Sequence, residues 1–466
     1  MLGDIAWRSF GFAYGMLNLG LMVGVAAIRD GAFTKGTSKE EKEALQAAQA
    51  KYWDVSQEPL PGFSHKFFKL KNGKQLHYVV NPANSATRAR NVAIFIHGFP
   101  DSYLVWRQLL QSPNLQSHVL IAVDLPGFGG SDGLKHYGPE EVLEALTAFI
   151  LAMQEQYLRS EGKLVMVTHD WGGIVGARLA SEAKQLAHHW ILAGAVIPKQ
   201  LEYTANTHAA SAKQMLHTWT RTPLNTRLLK NALATLSAVR SQIGRSFYIF
   251  IFNLPWPLAT FFATMGNFWL VRIMHSVAAG VLVKGKLTRP MTPAEAGEFM
   301  AQTGGPGTAQ ITASSAAYSD ELLDRTRDYG MREKIHYYRE GLLLSPWEKS
   351  LETVVALSEI PPNAHSSSAS GLFDDGPPGA LKVPATLIHG KDDSAFETKL
   401  AFEGLSDYLV KGSQVLVVGE GGHWLPLEKG GGRVMEETLV WALNEETKPL
   451  KRVFEGQADV KFVLEK

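Results

Sequence analysis

The sequence predicts an α/β protein with a mostly parallel central sheet, an inserted helical lid domain and a hydrophobic N-terminal helix. Three observations predict this fold class. Short apolar runs alternate with helical patterns from residue 65 to about 196, and the same alternation resumes near residue 385. Strands that alternate with helices form parallel sheets that are covered on both faces. The third observation is an uncharged stretch of twenty residues, 9–28.

The individual elements follow from their apolar patterns and flanking residues. Candidate strands lie at 66–70, 75–80, 92–96, 119–123, 164–167, 190–196, 385–388 and 414–418. Candidate helices lie at 37–53, 139–157, 173–185, near 395–408, and at 433–445. The first of these helices has a capping residue and a polar composition, which predicts a solvated linker.

The middle of the chain is largely helical and interrupts the alternation. Residues 246–271 carry no charge, but "NLPWP" at 253–257 contains two prolines, which argues against a membrane span. This run predicts buried lid helices, with a membrane-facing patch as the alternative. The turn-forming residues of 361–379 predict a flexible loop. The expected segments are a hydrophobic segment (1–36), a linker helix (37–59), the first core part (60–200), a lid (201–350), a loop (351–380) and the second core part (381–466).

The composition is ordinary for a globular protein, with 45% hydrophobic and 20% charged residues among 466. The net charge of +1 gives no reason to expect a nucleic-acid partner. Because the chain has no cysteine, disulfides, cysteine–zinc sites and a thiol nucleophile are excluded. The sequence also lacks an N-x-S/T sequon, which favours a catalytic domain that faces the cytosol.

The N-terminal stretch 9–28 predicts a membrane anchor, because twenty apolar residues at 1.5 Å each match a bilayer core. Two alternatives stay open. Val25-Ala26-Ala27 resembles a signal-peptide cleavage site. Asn18 and several glycines dilute the stretch, which is also typical of a helix docked on the protein's own surface. The flanking charges are too balanced to predict an orientation in the membrane.

A short stretch, "VTHDWGGIVG" at 167–176, carries the first indication of function. An apolar strand pattern meets two glycines and a helical pattern, and Asp170 lies at the turn between them. Sharp strand-to-helix turns of this kind present a nucleophile, usually serine. A carboxylate is already ionised at pH 7, so it needs no base to attack a carbon atom.

Three other stretches, together with Asp170, give the chain order of α/β-hydrolases, in which the nucleophile precedes the acid and the acid precedes the histidine. "FIHGFPDS" at 95–102 and "LIHGKDDSAF" at 387–396 each follow a predicted strand. "GEGGHWLPLE" at 419–428 follows the next strand and contains His423. Catalytic residues of open α/β sheets lie at such strand ends. The sequence therefore resembles the α/β-hydrolase superfamily, and within it the epoxide hydrolases, over about residues 60–445.

The resemblance implies a role for each residue. Asp170 attacks the epoxide carbon and forms an alkyl ester, which water then hydrolyses with His423 as the base. Asp393 orients the histidine, and it is preferred to Asp392 because it lies three residues after Gly390. The backbone amides of Phe99 and Trp171 form the oxyanion hole. No metal or organic cofactor is expected.

Epoxide opening produces an alkoxide that needs a proton, and a tyrosine is protonated at pH 7. The resemblance assigns this task to two lid tyrosines, Tyr248 in "FYIFIFNLP" and Tyr338 in "HYYRE", with Tyr337 as an adjacent rival. A dehalogenase, of the haloalkane or haloacid type, is the main alternative. Haloalkane dehalogenases usually have Asn where this chain has Phe99. A third alternative is a membrane-tethered protein that has kept the fold without catalysis.

The lid run 247–271 is rich in aromatic residues, which predicts an apolar tunnel for a lipophilic epoxide, such as a fatty-acid epoxide. The candidate substrate-binding residues are Trp106, Phe247 and Phe252. Together with residues 9–28, this run predicts a membrane-anchored enzyme, with the endoplasmic reticulum as the candidate membrane. The expected partner is a small-molecule epoxide.

Overall fold

The computed structural model describes residues 2–81, 91–159, 161–314, 317–360, 376–444 and 448–466, with side chains from residue 5 onwards. Most of the loop expected at 351–380 lies outside the described residues, which stop at 360 and resume at 376.

Nine strands form one twisted sheet, and two short strands form a separate pair in the helical region. The strands are β1 (Ser64–Lys69), β2 (Gln75–Val80), β3 (Val92–Ile96), β4 (Val119–Val123), β5 (Leu164–His169), β6 (His189–Ala193), β7 (Leu282–Val283), β8 (Lys286–Leu287), β9 (Ala385–Gly390), β10 (Gln414–Val418) and β11 (Val460–Glu465). The order in the large sheet is β1-β2-β4-β3-β5-β6-β9-β10-β11.

Sixteen α-helices are found in the described residues. Those outside the insertion are α1 (Leu2–Gly24), α2 (Lys39–Trp53), α3 (Arg107–Leu110), α4 (Pro139–Tyr157), α5 (Trp171–Glu182), α15 (Thr398–Phe402) and α16 (Lys429–Asn444). Those between β6 and β9 are α6 (Pro198–Arg221), α7 (Thr226–Arg245), α8 (Phe247–Phe252), α9 (Trp256–Ala278), α10 (Pro293–Gly304), α11 (Thr308–Ala313), α12 (Glu321–Arg325), α13 (Met331–His336) and α14 (Leu351–Glu359). We call the segment from α6 to α14 the lid.

The central strands pair in parallel, as the sequence predicts. β4, β3, β5, β6, β9 and β10 form a continuous parallel block, and antiparallel strands add to both edges. All residues of β3, β4, β5 and β6 are buried, because helices cover both faces of the sheet. The carboxyl ends of the parallel strands therefore lie at one edge, beneath the lid. This is the α/β-hydrolase fold.

The lid helix α9 is interrupted in its middle. Residues 265–268 leave the helical conformation, and Gly266, Asn267 and Phe268 all have positive φ angles. The uncharged lid run is thus divided into short helices rather than forming one long span. α8, which carries Tyr248, lies just before α9 and packs against α1.

The α2 helix begins as the sequence predicts, but its environment differs. The side chain of Ser38 caps the helix by accepting a hydrogen bond from the amide of Glu41, 3.2 Å away. The prediction that this helix is a solvated linker is nevertheless wrong, because α2 packs along α10 and buries Tyr52 and Trp53. The aromatic pair at the end of a polar helix supplies the apolar face that this contact needs.

The N-terminal helix α1 lies against the lid helix α8. Phe250 of α8 packs its ring against Trp7, Phe10 and Tyr14, with centroid distances of 6.1, 6.0 and 5.0 Å. α1 also exposes Phe12, Leu17 and Leu21, among other large apolar side chains. Residues 5–29 form the one helical segment of the described chain that is long and apolar enough to cross a membrane.

The contact between α1 and α8 depends on Gly15. A Cβ atom there would lie 2.7 Å from the backbone oxygen of Phe250 and 3.1 Å from Leu254, whereas a Cβ at Gly20 would meet nothing within 4 Å. Small residues four apart, here Gly11 and Gly15, let two helices approach closely.

Replacing Gly15 with valine is therefore expected to separate α1 from the lid. The clash cannot be relieved by a side-chain rotation, because the atom it meets is backbone, and overpacking of this kind costs about 1–3 kcal/mol. Tryptic cleavage after Arg29 should accelerate, and the thermal midpoint should fall. Gly20→Val carries the same helix-propensity cost and is the control. Equal behaviour of the two variants would contradict the contact.

Candidate active site

Asp170 lies at the turn between β5 and α5 with φ 51° and ψ −120°, a strained conformation for a residue with a side chain. The surrounding backbone is compact. A Cβ at Gly98 would lie 2.3 Å from the Asp170 Oδ1 atom, and a Cβ at Gly172 would lie 2.2 Å from the oxygen of Ile96. Glycine at these two positions lets the turn hold the carboxylate close to the end of β3.

His423 lies between two carboxylates. Its Nε2 atom is 3.4 Å from Asp170 Oδ2, and its Nδ1 atom is 3.0 Å from Asp393 Oδ2. Asp392 points elsewhere, since its Oδ2 atom lies 3.1 Å from Lys284 Nζ and its side chain is 44% exposed. Of the two neighbouring aspartates, the structure therefore brings Asp393 to the histidine.

The two carboxylates and burial together determine the protonation of His423. Burial lowers the pKa of His423, but the charge of Asp393 and the hydrogen bonds to Asp170 and Asp393 outweigh it and raise the pKa well above its ordinary value. Burial opposes ionisation of Asp393, and the charge and hydrogen bond of His423 overcome it, so the pKa of Asp393 falls. In the resting site, a protonated histidine thus bridges two carboxylates.

The backbone amide of Phe99 faces Asp170. Its N–H donates to Asp170 Oδ1 over 2.6 Å, and the Phe99–Pro100 peptide bond is cis. Trp171 provides the first amide of α5, directly after Asp170 in the chain. Oδ1 is thus held by a backbone donor, whereas Oδ2 lies next to His423.

Both lid tyrosines predicted from the sequence lie above Asp170. The ring of Tyr338 packs against Phe99 and Trp171, with centroids 5.3 and 4.9 Å away, and Tyr248 lies 5.8 Å from Tyr338. Burial and the charge of Asp170 raise the pKa of Tyr248. Burial, followed by Tyr248 and Asp170, raises the pKa of Tyr338 well above its ordinary value. Both phenols therefore remain protonated donors at neutral pH.

The adjacent rival, Tyr337, points away from the carboxylate. Its hydroxyl donates to the backbone oxygen of Pro126 over 3.0 Å, and its ring packs against Phe128 and Tyr137. Tyr337 thus anchors the end of α13 to the core, whereas Tyr338 reaches the site.

The three predicted substrate-binding residues differ in position. Phe252 is fully buried, and its ring lies 5.8 Å from Phe99 and 5.2 Å from Tyr338. Phe247 packs beside Tyr248 but is only partly buried. Trp106 is not among these rings. It is buried against Phe95 and His169 in the core cluster on the other side of the sheet.

Sequence reasoning missed two polar residues inside the motifs it used. His169 Nε2 donates to the backbone oxygen of His423 over 2.8 Å, and burial lowers the pKa of His169 to about 4, so this ring is neutral. Asp101 is buried and accepts hydrogen bonds from Gln302, at 2.7 Å, and Trp424, at 3.1 Å. Burial raises the pKa of Asp101 to about 6. In the sequence, the indication that these two residues belong to the site was their position, since His169 directly precedes Asp170 and Asp101 directly follows Pro100.

A third missed residue, Lys334, had no signal in the sequence. Its buried ammonium group donates to the backbone oxygens of Pro100, Thr303 and Tyr329, at 3.2, 2.5 and 2.9 Å. Two of these oxygens belong to the lid and one to the segment after Phe99. Lys334 therefore ties the lid to the loop that carries the Phe99 amide.

The fold and the site define an α/β-hydrolase-fold protein with a carboxylate at the strand-to-helix turn that follows β5. Residues 93–272 match the alpha/beta hydrolase family. The chain is 30% identical over 195 residues to epoxide hydrolase 3 of Xenopus tropicalis, covering 41% of this chain and 42% of that protein. It is 22% identical over 360 residues to epoxide hydrolase 3 of Mus musculus, covering 76% of this chain and 70% of that protein.

Among solved structures, juvenile hormone epoxide hydrolase from the silkworm Bombyx mori matches with a TM-score of 0.51 and 14% identity, over 89% of this chain and 87% of that chain. This similarity supports the fold alone. The chain thus resembles the epoxide hydrolases, although it spans less than half the length of the Xenopus protein in their alignment.

Proposed function

We propose that this protein is an epoxide hydrolase that opens a lipophilic epoxide to a vicinal diol through an alkyl ester on Asp170. The proposal rests on one arrangement of side chains. The carboxylate of Asp170 at a strained turn lies close to two buried, protonated phenols and to the pair of His423 and Asp393. The similarity to epoxide hydrolases supports the same activity.

In the first step, Asp170 Oδ2 attacks an epoxide carbon, and the bond between that carbon and the epoxide oxygen breaks. The Phe99 amide holds Oδ1, so the attacking oxygen is oriented before substrate arrives. Tyr248 or Tyr338 donates its proton to the leaving alkoxide, which is the task that a raised phenol pKa permits at neutral pH.

In the second step, water attacks the carbonyl carbon of the ester. Once Asp170 is esterified, its negative charge no longer raises the pKa of His423, so the imidazolium releases its proton, which the tyrosinate left by the first step takes up. The neutral imidazole can then take a proton from water. Asp393 stabilises the imidazolium that forms. The Phe99 and Trp171 amides bind the oxyanion, and its collapse releases the diol with Oδ2. The proton that His423 takes from water restores the protonated histidine of the resting site, and the tyrosine has already regained its own proton.

This scheme predicts the origin of one product oxygen. In a single turnover in ¹⁸O-water, with enzyme in excess, the diol should contain no ¹⁸O, since its new oxygen comes from Asp170. A second turnover of the same enzyme should introduce the label. Direct attack by water would label the first product fully, and release of halide from haloalkanes without epoxide turnover would instead establish a dehalogenase.

Phenylalanine at either lid tyrosine is expected to slow ester formation by roughly 10- to 1,000-fold, because each variant removes one of two proton donors. Hydrolysis of a preformed ester should change little, since neither phenol takes part in it. Rapid-quench single-turnover kinetics of Tyr248→Phe and Tyr338→Phe separate the two steps. Tyr337→Phe, which removes the neighbouring hydroxyl outside the site, is the control. Slower hydrolysis with unchanged ester formation would contradict the assignment.

The substrate class follows from the rings around the carboxylate. Phe99, Phe252, Trp171 and the two tyrosines surround Asp170 with apolar surface, which favours a lipophilic epoxide. Activity on epoxides of increasing chain length tests this substrate class, and a preference for small polar epoxides would contradict it.

The exposed apolar side chains of α1 support membrane attachment beside the lid. Full solubility of the protein without detergent would contradict this attachment.

A further inference from the structure

The first two lid helices, α6 and α7, carry an unusual concentration of positive charge. From Pro198 to Arg245, the α6–α7 hairpin contains a single acidic residue, Glu202, whereas the whole chain has a net charge of only +1. Its seven basic residues are Lys199, Lys213, Arg221, Arg227, Lys230, Arg240 and Arg245. This local excess is large enough to attract an anionic partner.

The base of the hairpin is attached to the core, and its distal half is not. Gln200 donates to the backbone oxygen of Leu400 over 2.9 Å, His208 lies 3.0 Å from Glu403, and Arg245 donates to the backbone oxygen of Asp393 over 2.8 Å. Residues 213–231, by contrast, contain no buried residue. Since α6 and α7 are each about 30 Å or more in length, the distal half projects from the protein.

The projecting half exposes both charge and apolar surface. Leu224, in the turn between the helices, is 96% exposed. Arg221, Arg227 and Lys230 surround it in sequence and are also exposed. Within the described residues, none of these three forms an ion pair with an acidic side chain, so their charges are available to a partner.

We propose that the distal half of the α6–α7 hairpin, residues 213–231, binds the surface of membranes that contain anionic phospholipids. A bilayer offers, in one partner, an anionic surface for the basic side chains and an apolar phase for Leu224. Water, by comparison, gives no favourable environment to a fully exposed leucine at the tip of a basic hairpin.

The hairpin is also connected, through α8, to the N-terminal helix α1 and its exposed apolar side chains. α7 ends at Arg245, α8 begins at Phe247, and α8 packs along α1. The hairpin therefore leads directly into the helix that carries Tyr248. This contact is distinct from that of α1, because it depends on lipid charge, whereas burial of an apolar helix does not.

The absence of cysteine from the chain allows a direct test. Full-length Leu224→Cys, labelled with an environment-sensitive fluorophore, is reconstituted with vesicles of phosphatidylcholine alone or with about 30% phosphatidylserine. The emission is expected to shift to the blue only with phosphatidylserine. The shift should disappear near 0.5 M salt, where screening is effective over roughly 5 Å.

Two double variants of equal net charge test which part of the protein contacts the anionic lipid. Arg227→Gln/Lys230→Gln should lower the equilibrium constant for contact of the hairpin with the phosphatidylserine membrane by roughly 30-fold, since each basic side chain near an anionic surface contributes about fivefold. Lys411→Gln/Lys461→Gln removes two exposed lysines near the β10–β11 edge and should leave it unchanged. Both variants keep exposed polar side chains, so thermal unfolding should match the parent.

Three results would overturn the proposal. The first is an equal shift with uncharged vesicles, which would assign any contact to the apolar residues alone. The second is equal weakening by the two charge variants, which would show an effect of net charge only. The third is tighter binding of a single-stranded RNA probe than of the anionic vesicles, which would identify a different class of partner.

Discussion

Replacing Asp170 with asparagine is expected to reduce epoxide turnover by about 10⁴-fold or more, because the amide has no nucleophilic oxygen to form the ester. Asparagine matches aspartate in size and tolerates the positive φ angle of this turn. The Phe99 amide can still donate to its carbonyl oxygen. The loss should therefore be chemical rather than structural, with circular dichroism and thermal unfolding close to those of the parent.

The control for this variant is Asp392→Asn, which removes a carboxylate that lies outside the site and is largely exposed. Its turnover should stay within about twofold of the parent, as is usual for surface substitutions. Mass spectrometry of Asp170→Asn mixed with substrate should detect no covalent adduct. Retention of more than a few per cent of activity would mean that another group attacks the epoxide.

Glutamine at His423 is expected to stop the reaction after ester formation. The nucleophile and both tyrosines remain, so the first step proceeds, but no group is left to take the proton from water. General-base catalysis contributes about 10²- to 10⁴-fold, and steady-state turnover should fall by that factor. Each enzyme molecule should rapidly consume about one molecule of substrate. The enzyme should then accumulate as an alkyl-enzyme, heavier by the mass of one substrate.

His217→Gln provides the matched control, since this histidine lies on the exposed surface of α6. Peptide mapping of the His423→Gln adduct should assign the added mass to the peptide that contains Asp170. An adduct on any other residue, or rapid hydrolysis of the ester without His423, would contradict the proposed second step. Asp393→Asn should show a milder form of the same accumulation, because it removes the orientation of the imidazole and leaves the ring in place.

The fold was predictable because its signal is repeated along the chain. Buried parallel strands require continuous apolar runs, and the alternation with helices is visible at residues 92–96, 119–123 and 164–167. The candidate site followed from the same pattern. Since parallel strands all end at one edge, motifs that follow four different strands must lie close together, whatever their separation in sequence.

The sequence also predicted features that depend on one residue and its immediate neighbours. The cap at Ser38 and the turn at Asp170 are of this kind, since the side chain and the following few residues determine each of them. The environment of α2 was not predicted, because contact with α10 involves residues about 250 positions away. A polar helix with Tyr52 and Trp53 at its end is compatible with either solvent or a partner.

The sequence by itself determined the parallel strands of the sheet, the order of the candidate catalytic residues and the presence of an apolar N-terminal helix, but it did not indicate the edge strand β11. Only the tertiary structure separated neighbours, bringing Asp393 rather than Asp392 to His423 and Tyr338 rather than Tyr337 to Asp170. It also put Trp106 on the other side of the sheet and α1 against the lid. The reason is that adjacent side chains in loops and short helices point in different directions, and those directions depend on packing with residues far away in sequence.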